Sequence, residues 1–313
     1  MSADRPSPPA ELSHLAKQRA RARGERDFAT ADRLKAEIES AGWKMVDFGH
    51  DYRLEPAHPP NVEVDGTIRY GSSAGVPSRL DELDSAAVSV VLVSPIEPPA
   101  DLPAGTQLIS VIPEPAQELP APAEATEVLA AAVPLGLAAA WNAGLRRAVG
   151  RSVVLVAPGS GLGRQELDQM LAALEAESVA VAGSHGLRSR DLRRWEPAPA
   201  GEVDALDAEA LAFRRSDARA RGPLDERLAT TRLLAAWWSL VLRDEGPGQP
   251  ARRAIATHAP LSRRNASEET VPPDRQARRD LYRLIDRFGS RYDLLREPIR
   301  PTAASAKDRH QRR

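Results

Sequence analysis

Residues 136–163 read GLAAAWNAGLRRAVGRSVVLVAPGSGLG, and the fold class turns on them. Leu137 to Ala148 is rich in Ala and Leu, with Gly150 just past its end, so it predicts a helix. Ser152 to Val156 is a short apolar run, mostly Val, closed by Pro158 and Gly159. An apolar strand directly after a helix predicts a strand buried on both faces of a parallel sheet. Gly159 to Gly163 then supplies a flexible turn, and Gln165 to Glu175 an amphipathic helix. Helix, buried strand, Gly-rich turn and helix in succession predict α/β architecture.

The chain has 313 residues, enough for one α/β domain of ordinary size and a smaller one. Apolar residues make up 42%, which allows a sizeable core, and 27 prolines predict long, stiff loops. A net charge of −1 predicts neither a nucleic-acid nor a membrane partner from bulk charge. With no Cys, disulfides and thiolate metal sites are excluded. No apolar run reaches membrane-spanning length and no signal-peptide core opens the chain, so the expectation is a soluble cytoplasmic protein.

Working outward toward the N-terminus, residues 1–10 are rich in Pro and Ser and are expected to be disordered. Glu11 to Ala41 predicts two helices. Leu12, Leu15, Ala16 and Ala22 form one stripe, with Gly24 as its cap. Asp27 caps the next, where Phe28, Ala31, Leu34 and Ile38 form a stripe and Gly42 follows. Trp43 to Leu54 predicts a hairpin turning near Gly49 to Asp51. Residues 55–86 read as a linker with one short strand pair, Val62 to Val64 and Thr67 to Tyr70. Val88 to Pro95 predicts the first strand of the large domain and Gln107 to Ile112 the second. Thr126 to Ala130 predicts a third, although its Ala content also suits a helix.

Toward the C-terminus, Ser178 to Gly183 predicts a further strand. Leu233 to Leu242, with Trp237 and Trp238, predicts a buried helix. Asp274 to Phe288 predicts a last helix, and the chain from Pro298 is expected to be disordered. The organisation expected is a helical module over 11–54, an α/β domain over 87–290 and a tail over 291–313.

The central stretch resembles family-2 glycosyltransferases. There an A-R-N-x-G helix start leads to A-x-G-x-x-V-x-x-L-D, whose final Asp belongs to the metal and nucleotide-sugar motif. Asn142, Gly144 and Gly150 match, but Trp141 replaces the Arg and Ala157 replaces the Asp. The likeness runs from about Val88 to Phe288. VSVVLVSP fits the family's first strand, although the Asn expected in the loop after it is missing. Glu202 to Arg215 fits the acceptor-side hairpin that ends in a basic pair. Gly222 to Glu226, GPLDE, fits the G-x-(F/L)-D-E step. The resemblance implies a GT-A-like fold of the nucleotide-diphospho-sugar transferase type: a mostly parallel sheet flanked by helices. It also implies a later acidic pair, one of which deprotonates the acceptor hydroxyl, and here that position falls on Ala235. His258 stands where many relatives carry a late His that assists a metal or diphosphate.

A second resemblance covers residues 15–54. Arg19, Arg23, Asp27, Phe28, Ala31, Asp32, Arg33, Leu34 and Gly42 fit the C-terminal end of cysteinyl-tRNA synthetases, which belongs to the anticodon-binding region. The synthetase's catalytic signatures are absent, so aminoacylation is not implied. Lys17, Arg19, Arg21, Arg23 and Arg26 are the residues that would contact RNA phosphates. The alternative is a solvated helix face.

Transfer from a nucleotide sugar requires charge compensation for the departing diphosphate and a carboxylate near the acceptor hydroxyl. Ala at both positions supplies neither, so the resemblance is degenerate at its acidic motifs. Asp225 and Glu226 are the candidate catalytic acids, and they equally suit a helix N-terminus. Asp204 and Asp207 are further acids. Asn142, Gly159, Gly161, Asp204, Arg215 and His258 are the candidate nucleotide-sugar residues. The Gly159–Gly163 turn fits neither G-x-G-x-x-G nor the P-loop. Its amides, with Arg164, are a candidate phosphate cradle in place of the missing Asp; a plain tight turn is the alternative. No metal ligand set is assigned, and Mg or Mn is implied only for an active enzyme. Three classes stay open: a degenerate domain that binds a nucleotide sugar or glycan, an active glycosyltransferase with non-standard residues, and an RNA-associated protein acting through residues 11–54.

Overall fold

The computed structural model describes residues 8–48, 51–93, 99, 101–116, 119, 126–257 and 274–299. The chain divides into two compact units, Met1–Gly75 and Val76–Arg313.

In the first unit, α1 (Ala10–Gly24) packs on α2 (Phe28–Ser40), burying Leu12, Ala16, Ala22, Ala31, Leu34 and Ile38. Leu15 is only half-buried and Phe28, at the first position of α2, is 61% exposed, so the stripe is narrower than the sequence predicts. Gly24 is not the cap. The helix includes it, and the turn falls on Arg26 at φ 61°, where Asp27 N–H donates to Ala22 O and Arg26 N–H to Arg23 O. That pair of bonds closes the helix as a Schellman motif, with Arg26 at the left-handed position glycine usually fills. Asp27 caps α2 as predicted, accepting from Thr30 N–H at 3.1 Å. β1 (Trp43–Phe48) and β2 (Asp51–Pro56) pair antiparallel, as do β3 (Val62–Val64) and β4 (Thr67–Tyr70).

The second unit carries the central sheet. Its elements are β5 (Ala86–Val93), β6 (Thr106–Ile112), β7 (Thr126–Ala131), α3 (Leu137–Arg147), β8 (Gly150–Val156), α4 (Arg164–Ala173) and β9 (Val179–Gly183). Then come β10 (Gly186–Arg188), β11 (Glu196–Ala198), β12 (Gly201–Val203), β13 (Ala205–Leu206) and β14 (Ala210–Arg214). α5 (Arg215–Arg221), α6 (Thr231–Arg243), β15 (Arg253–Ala256) and α7 (Asp274–Phe288) complete it. The strand order is β12-β15-β9-β14-β8-β5-β6-β7. β5, β6, β7 and β8 run parallel, and β15 runs parallel to β9. β14, from the segment expected as the acceptor-side hairpin, inserts antiparallel between β8 and β9. β10, β11 and β13 form a small separate sheet. The result is a mixed α/β fold with a mostly parallel central sheet flanked by helices.

The apolar runs explain the layers. Val88, Val90 and Leu92 of β5 and Val154 and Val156 of β8 pack with Leu167 and Met170 of α4. The alternate residue Val91 faces α3, where a methyl on Gly144 would overlap its side chain. Phe213 of β14 meets Trp238 of α6 edge-on, with ring centroids 5.6 Å apart. Helices thus cover both faces, which is why β5 and β8 are apolar throughout. Each fully buried Val, Leu or Phe contributes about 1.5–3 kcal/mol.

Candidate functional site

β5 has β6 on one side and β8 on the other, so the sheet order reverses between β5 and β8. In open α/β sheets the crevice for ligands lies at the carboxyl ends of the strands at such a reversal. The loop after β5 falls largely outside the described residues. The segment after β8 begins with Ala157, which is buried and donates its N–H to Glu209 O at 3.1 Å. Gly159 follows at φ 75°, a turn position that disfavours other residues, and Ser160 N–H closes back on Ala157 O at 3.2 Å. Gly161 is not at a positive φ. Glu166 lies directly against Gly163 at the start of α4, and Arg164 pairs with Asp168 at 2.8 Å. Both charged side chains offered by this turn are therefore drawn into α4.

Beside Ala157 stands a group the sequence reading did not assemble. His185 follows the end of β9 and Glu209 precedes β14, the strand between β8 and β9. Their side chains meet with His185 Nδ1 2.5 Å from Glu209 Oε2. Asp207 N–H donates to His185 O at 2.9 Å, and the Asp207 carboxylate pairs with Arg232 in the first turn of α6 at 3.3 Å. The available signal was a His placed two residues past a wholly apolar strand. Glu209 could not be paired with it before β14 was known to insert between β8 and β9.

Asn142 is buried at 3% exposure and holds the GPLDE turn. Its Oδ1 accepts from Leu224 N–H at 2.9 Å, and its Nδ2 donates to Leu224 O at 3.0 Å and Glu226 Oε1 at 2.9 Å. The Trp141 indole donates to Val156 O at 3.3 Å, so this part of α3 sits at the C-terminal end of β8. Asp225 accepts from Arg227 Nε and Nη2, each at 2.9 Å, and from the Arg227 backbone N–H at 3.0 Å. Burial pushes the Asp225 carboxyl up, but the hydrogen bonds and charge of Arg227 outweigh it and hold the group below the usual aspartate range. The start of α6 is fixed by the buried Asp280 of α7, which accepts from Ala229 N–H at 3.0 Å and Thr230 N–H at 2.7 Å.

The remaining candidates lie elsewhere. Arg215 is 4% exposed and sits at the opposite end of β8 from Ala157. It donates to Ala148 O, Arg79 O, Glu82 O and the Asp84 carboxylate, so its guanidinium ties residues 79–84 to the foot of the sheet. Asp204 is fully buried and accepts from Ser189 N–H at 2.9 Å and Arg296 N–H at 2.8 Å. Ala235, where the resemblance puts the proton-accepting Asp, lies inside the buried face of α6. His258 lies outside the described residues.

Among the described residues, no three His, Asp or Glu side chains gather as a set able to hold a metal ion. With Ala157 at the strand end, and with His185 and Glu209 joined to each other, the donor set does not fit a family-type cation site. A cavity of about 220 Å³ lies at the other end of β8, lined by Asp84, Arg151, Arg215 and Arg219 among others. It is below the usual small-molecule range of about 300–1,000 Å³. No described helix is long and apolar enough to cross a membrane.

In the first unit, Arg19 is buried and pairs with Asp47 at 3.2 Å, and Arg23 reaches the other Asp47 oxygen at 2.5 Å. The Arg19 hydrogen bond comes first among the causes that hold the Asp47 carboxyl below its ordinary value. Arg21 pairs with Glu25 at 2.8 Å. Lys17 and Arg26 are exposed and make no ion pair among the described residues.

No protein-family model matches the chain. A cysteine–tRNA ligase of Opitutus terrae is 53% identical over 49 residues, which is 16% of this chain and 11% of that ligase. The chain therefore spans a small part of that relative's length. Among solved structures, GalNAc-T7 with UDP, GalNAc and Mn2+ is similar at TM-score 0.46 and 11% identity, covering 68% of this chain and 49% of its own. The mannosyltransferase PcManGT from Pyrobaculum calidifontis, in complex with GDP-Man and Mn2+, is similar at TM-score 0.43 and 13% identity, covering 75% and 82%. S. aureus TarS is similar at TM-score 0.36 and 13% identity, covering 55% and 58%. Likenesses this distant leave the chemistry of this chain to its own residues.

Proposed function

We propose that the second unit is a glycosyltransferase-like domain that binds a nucleotide sugar or glycan at the carboxyl ends of β5 and β8, with transfer that is weak or lost. One observation carries the reading: the sheet reverses between β5 and β8, and β8 ends in Ala157 where the resembling family places a metal-holding Asp. The matching residues serve the scaffold. Asn142 clamps the GPLDE turn, Gly144 lets α3 approach Val91, and Gly150 lets β8 approach the backbone at Val88–Ser89. The departing residues, Ala157 and Ala235, are those on which metal and base chemistry would depend. Gly159 and Gly161 border the proposed crevice. Of the acids read from sequence, Glu226 is held by Asn142 and Asp207 stands beside His185.

The test is a thermal-shift screen of the full chain with nucleoside diphosphates and their sugars, with and without Mn2+ or Mg2+. A ligand at a hundred times its Kd adds about 2.7 kcal/mol of stability. A shift that does not need the metal is the expected result. A shift that appears only with the metal contradicts the reading of Ala157 as a lost ligand, and no shift with any of them contradicts the whole.

A second reading concerns the first unit. The short, highly identical match to a tRNA ligase and the exposed Lys17, Arg21, Arg23 and Arg26 support RNA-phosphate contact by α1. Salt-sensitive tRNA binding that weakens in a Lys17→Glu, Arg21→Glu double variant would bear it out. Binding unchanged by that variant would dismiss it.

A further inference from the structure

We infer that His185 and Glu209 form a proton-accepting dyad for a hydroxyl group at the carboxyl end of the sheet. The inference rests on the nucleotide-sugar reading above. It assigns a catalytic His to a place where the sequence resemblance offers only alanines.

The placement follows from the sheet. β14 runs between β8 and β9, so the residue before it stands beside the last residues of both. Glu209 O accepts the N–H of Ala157, and His185 O accepts the N–H of Asp207. Backbone pairing thus brings Glu209 and His185 to the edge where the proposed ligand crevice opens.

Their side chains differ in exposure in the way a working pair requires. The Glu209 side chain is 15% exposed and the His185 side chain 48%. The carboxylate is the more sheltered of the two and the imidazole the more exposed. With the Glu209 carboxylate 2.5 Å from Nδ1, the tautomer of the neutral ring with its hydrogen on that nitrogen is favoured, which leaves Nε2 as the acceptor. A carboxylate behind an imidazole orients the ring and stabilises the imidazolium that forms when Nε2 takes a proton. The neighbouring charges are Asp207 and Arg232, which pair with each other at 3.3 Å. That pairing leaves Glu209 as the carboxylate that answers His185.

Atoms and electrons balance in the step, which is slow because Ala157 offers the departing diphosphate no charge compensation. The acceptor oxygen, from a sugar hydroxyl or water, forms a bond to the anomeric carbon of the nucleotide sugar. The bond from that carbon to the diphosphate oxygen breaks, and its electron pair leaves with the nucleoside diphosphate. The hydroxyl proton passes to Nε2 of His185. In this scheme His185 is the catalytic residue and Glu209 a positioning residue.

The experiment uses the full chain with GDP-mannose and UDP-N-acetylgalactosamine as probes. It records thermal shift and nucleoside-diphosphate release from pH 5 to 9 for wild type, His185→Gln and Glu209→Gln. The expected result is a shift in all three proteins. Wild type releases diphosphate. His185→Gln loses release about 100-fold or more, in line with the usual 10²–10⁴ for a general base. Glu209→Gln lowers kcat about tenfold with KM unchanged, which a merely structural pair would not do. Two outcomes overturn the dyad while leaving ligand binding intact: release unaffected by His185→Gln, or a shift in wild type with no release at any pH. No shift with either probe or with any other nucleoside diphosphate or its sugar in the screen above removes the nucleotide-sugar reading and the dyad with it.

Discussion

At the foot of the sheet, where β5 and β8 begin, Ser89, Gln107 and Arg215 are committed to backbone partners; at the opposite end, His185, Glu209, Asp207 and Arg232 are partly exposed and meet one another in pairs. At the foot, Ser89 Oγ accepts from Val149 and Gly150 N–H and donates to Gln107, whose amide donates to Arg147 O. Arg215 closes the same end with its guanidinium on three carbonyls and one carboxylate. At the carboxyl end, Ala157 contributes nothing polar from its side chain, His185 is half exposed, and Asp207 and Arg232 meet at the surface. A buried polar group without partners costs stability, so the foot must be closed. Partly exposed pairs such as His185–Glu209 and Asp207–Arg232 can be removed at little cost to the fold.

Substitutions at the two ends test this contrast. Arg215→Ala has the largest expected effect, since it takes the side-chain donor from the carbonyls of residues 82 and 148 and leaves that of residue 79 with the Glu82 N–H alone. About 3 kcal/mol should be lost in urea unfolding, and a loss under 1 kcal/mol would mean the foot is not closed by this side chain. Gly150→Ala comes next at about 2 kcal/mol, because the added methyl would overlap the Ser89 and Val88 backbone. Asn142→Ala, which frees both backbone groups of Leu224 near the other end, should cost about 1–2 kcal/mol by the same assay.

Asp225→Asn probes pH. The folded Asp225 carboxyl lies below its unfolded value of about 3.9. Its contribution is therefore present above that value and lost as the pH falls through the lower folded one. The variant should lose about 0.5 kcal/mol at neutral pH and show no difference from wild type in strong acid. His185→Gln is the smallest, within about 0.5 kcal/mol of wild type in stability. A large loss there would place the carboxyl end in the same class as the foot.

Much of the fold was legible because burial leaves a plain pattern. VSVVLV and SVVLV are apolar on both faces, and they are β5 and β8 with boundaries moved by one or two residues. The strand pair 62–64 and 67–70 and the last helix fall where the sequence puts them. What escaped depended on neighbours distant in sequence. Nothing in ALAFR says that β14 will insert antiparallel between β8 and β9, so Glu209 and His185 could not be joined beforehand. Arg215 and Asp204 were grouped with the site by type and motif, yet one sits at the foot of the sheet and the other in the interior. Arg19 looked like part of a basic surface, but its partner Asp47 lies on β1, beyond a helix and two turns. Glycine's preference for the cap points to Gly24, while the chain uses Arg26 at positive φ.

The central claim is that ligand binds at the carboxyl ends of β5 and β8 and not at the foot. Amide hydrogen exchange of the full chain, with and without the nucleotide sugar that gives the greatest thermal shift, tests it most directly. Slower exchange over residues 157–163 and 184–209, with residues 79–84 and 214–219 unchanged, is the predicted result. Protection confined to residues 79–84 and 214–219, around the cavity at the foot, would contradict it.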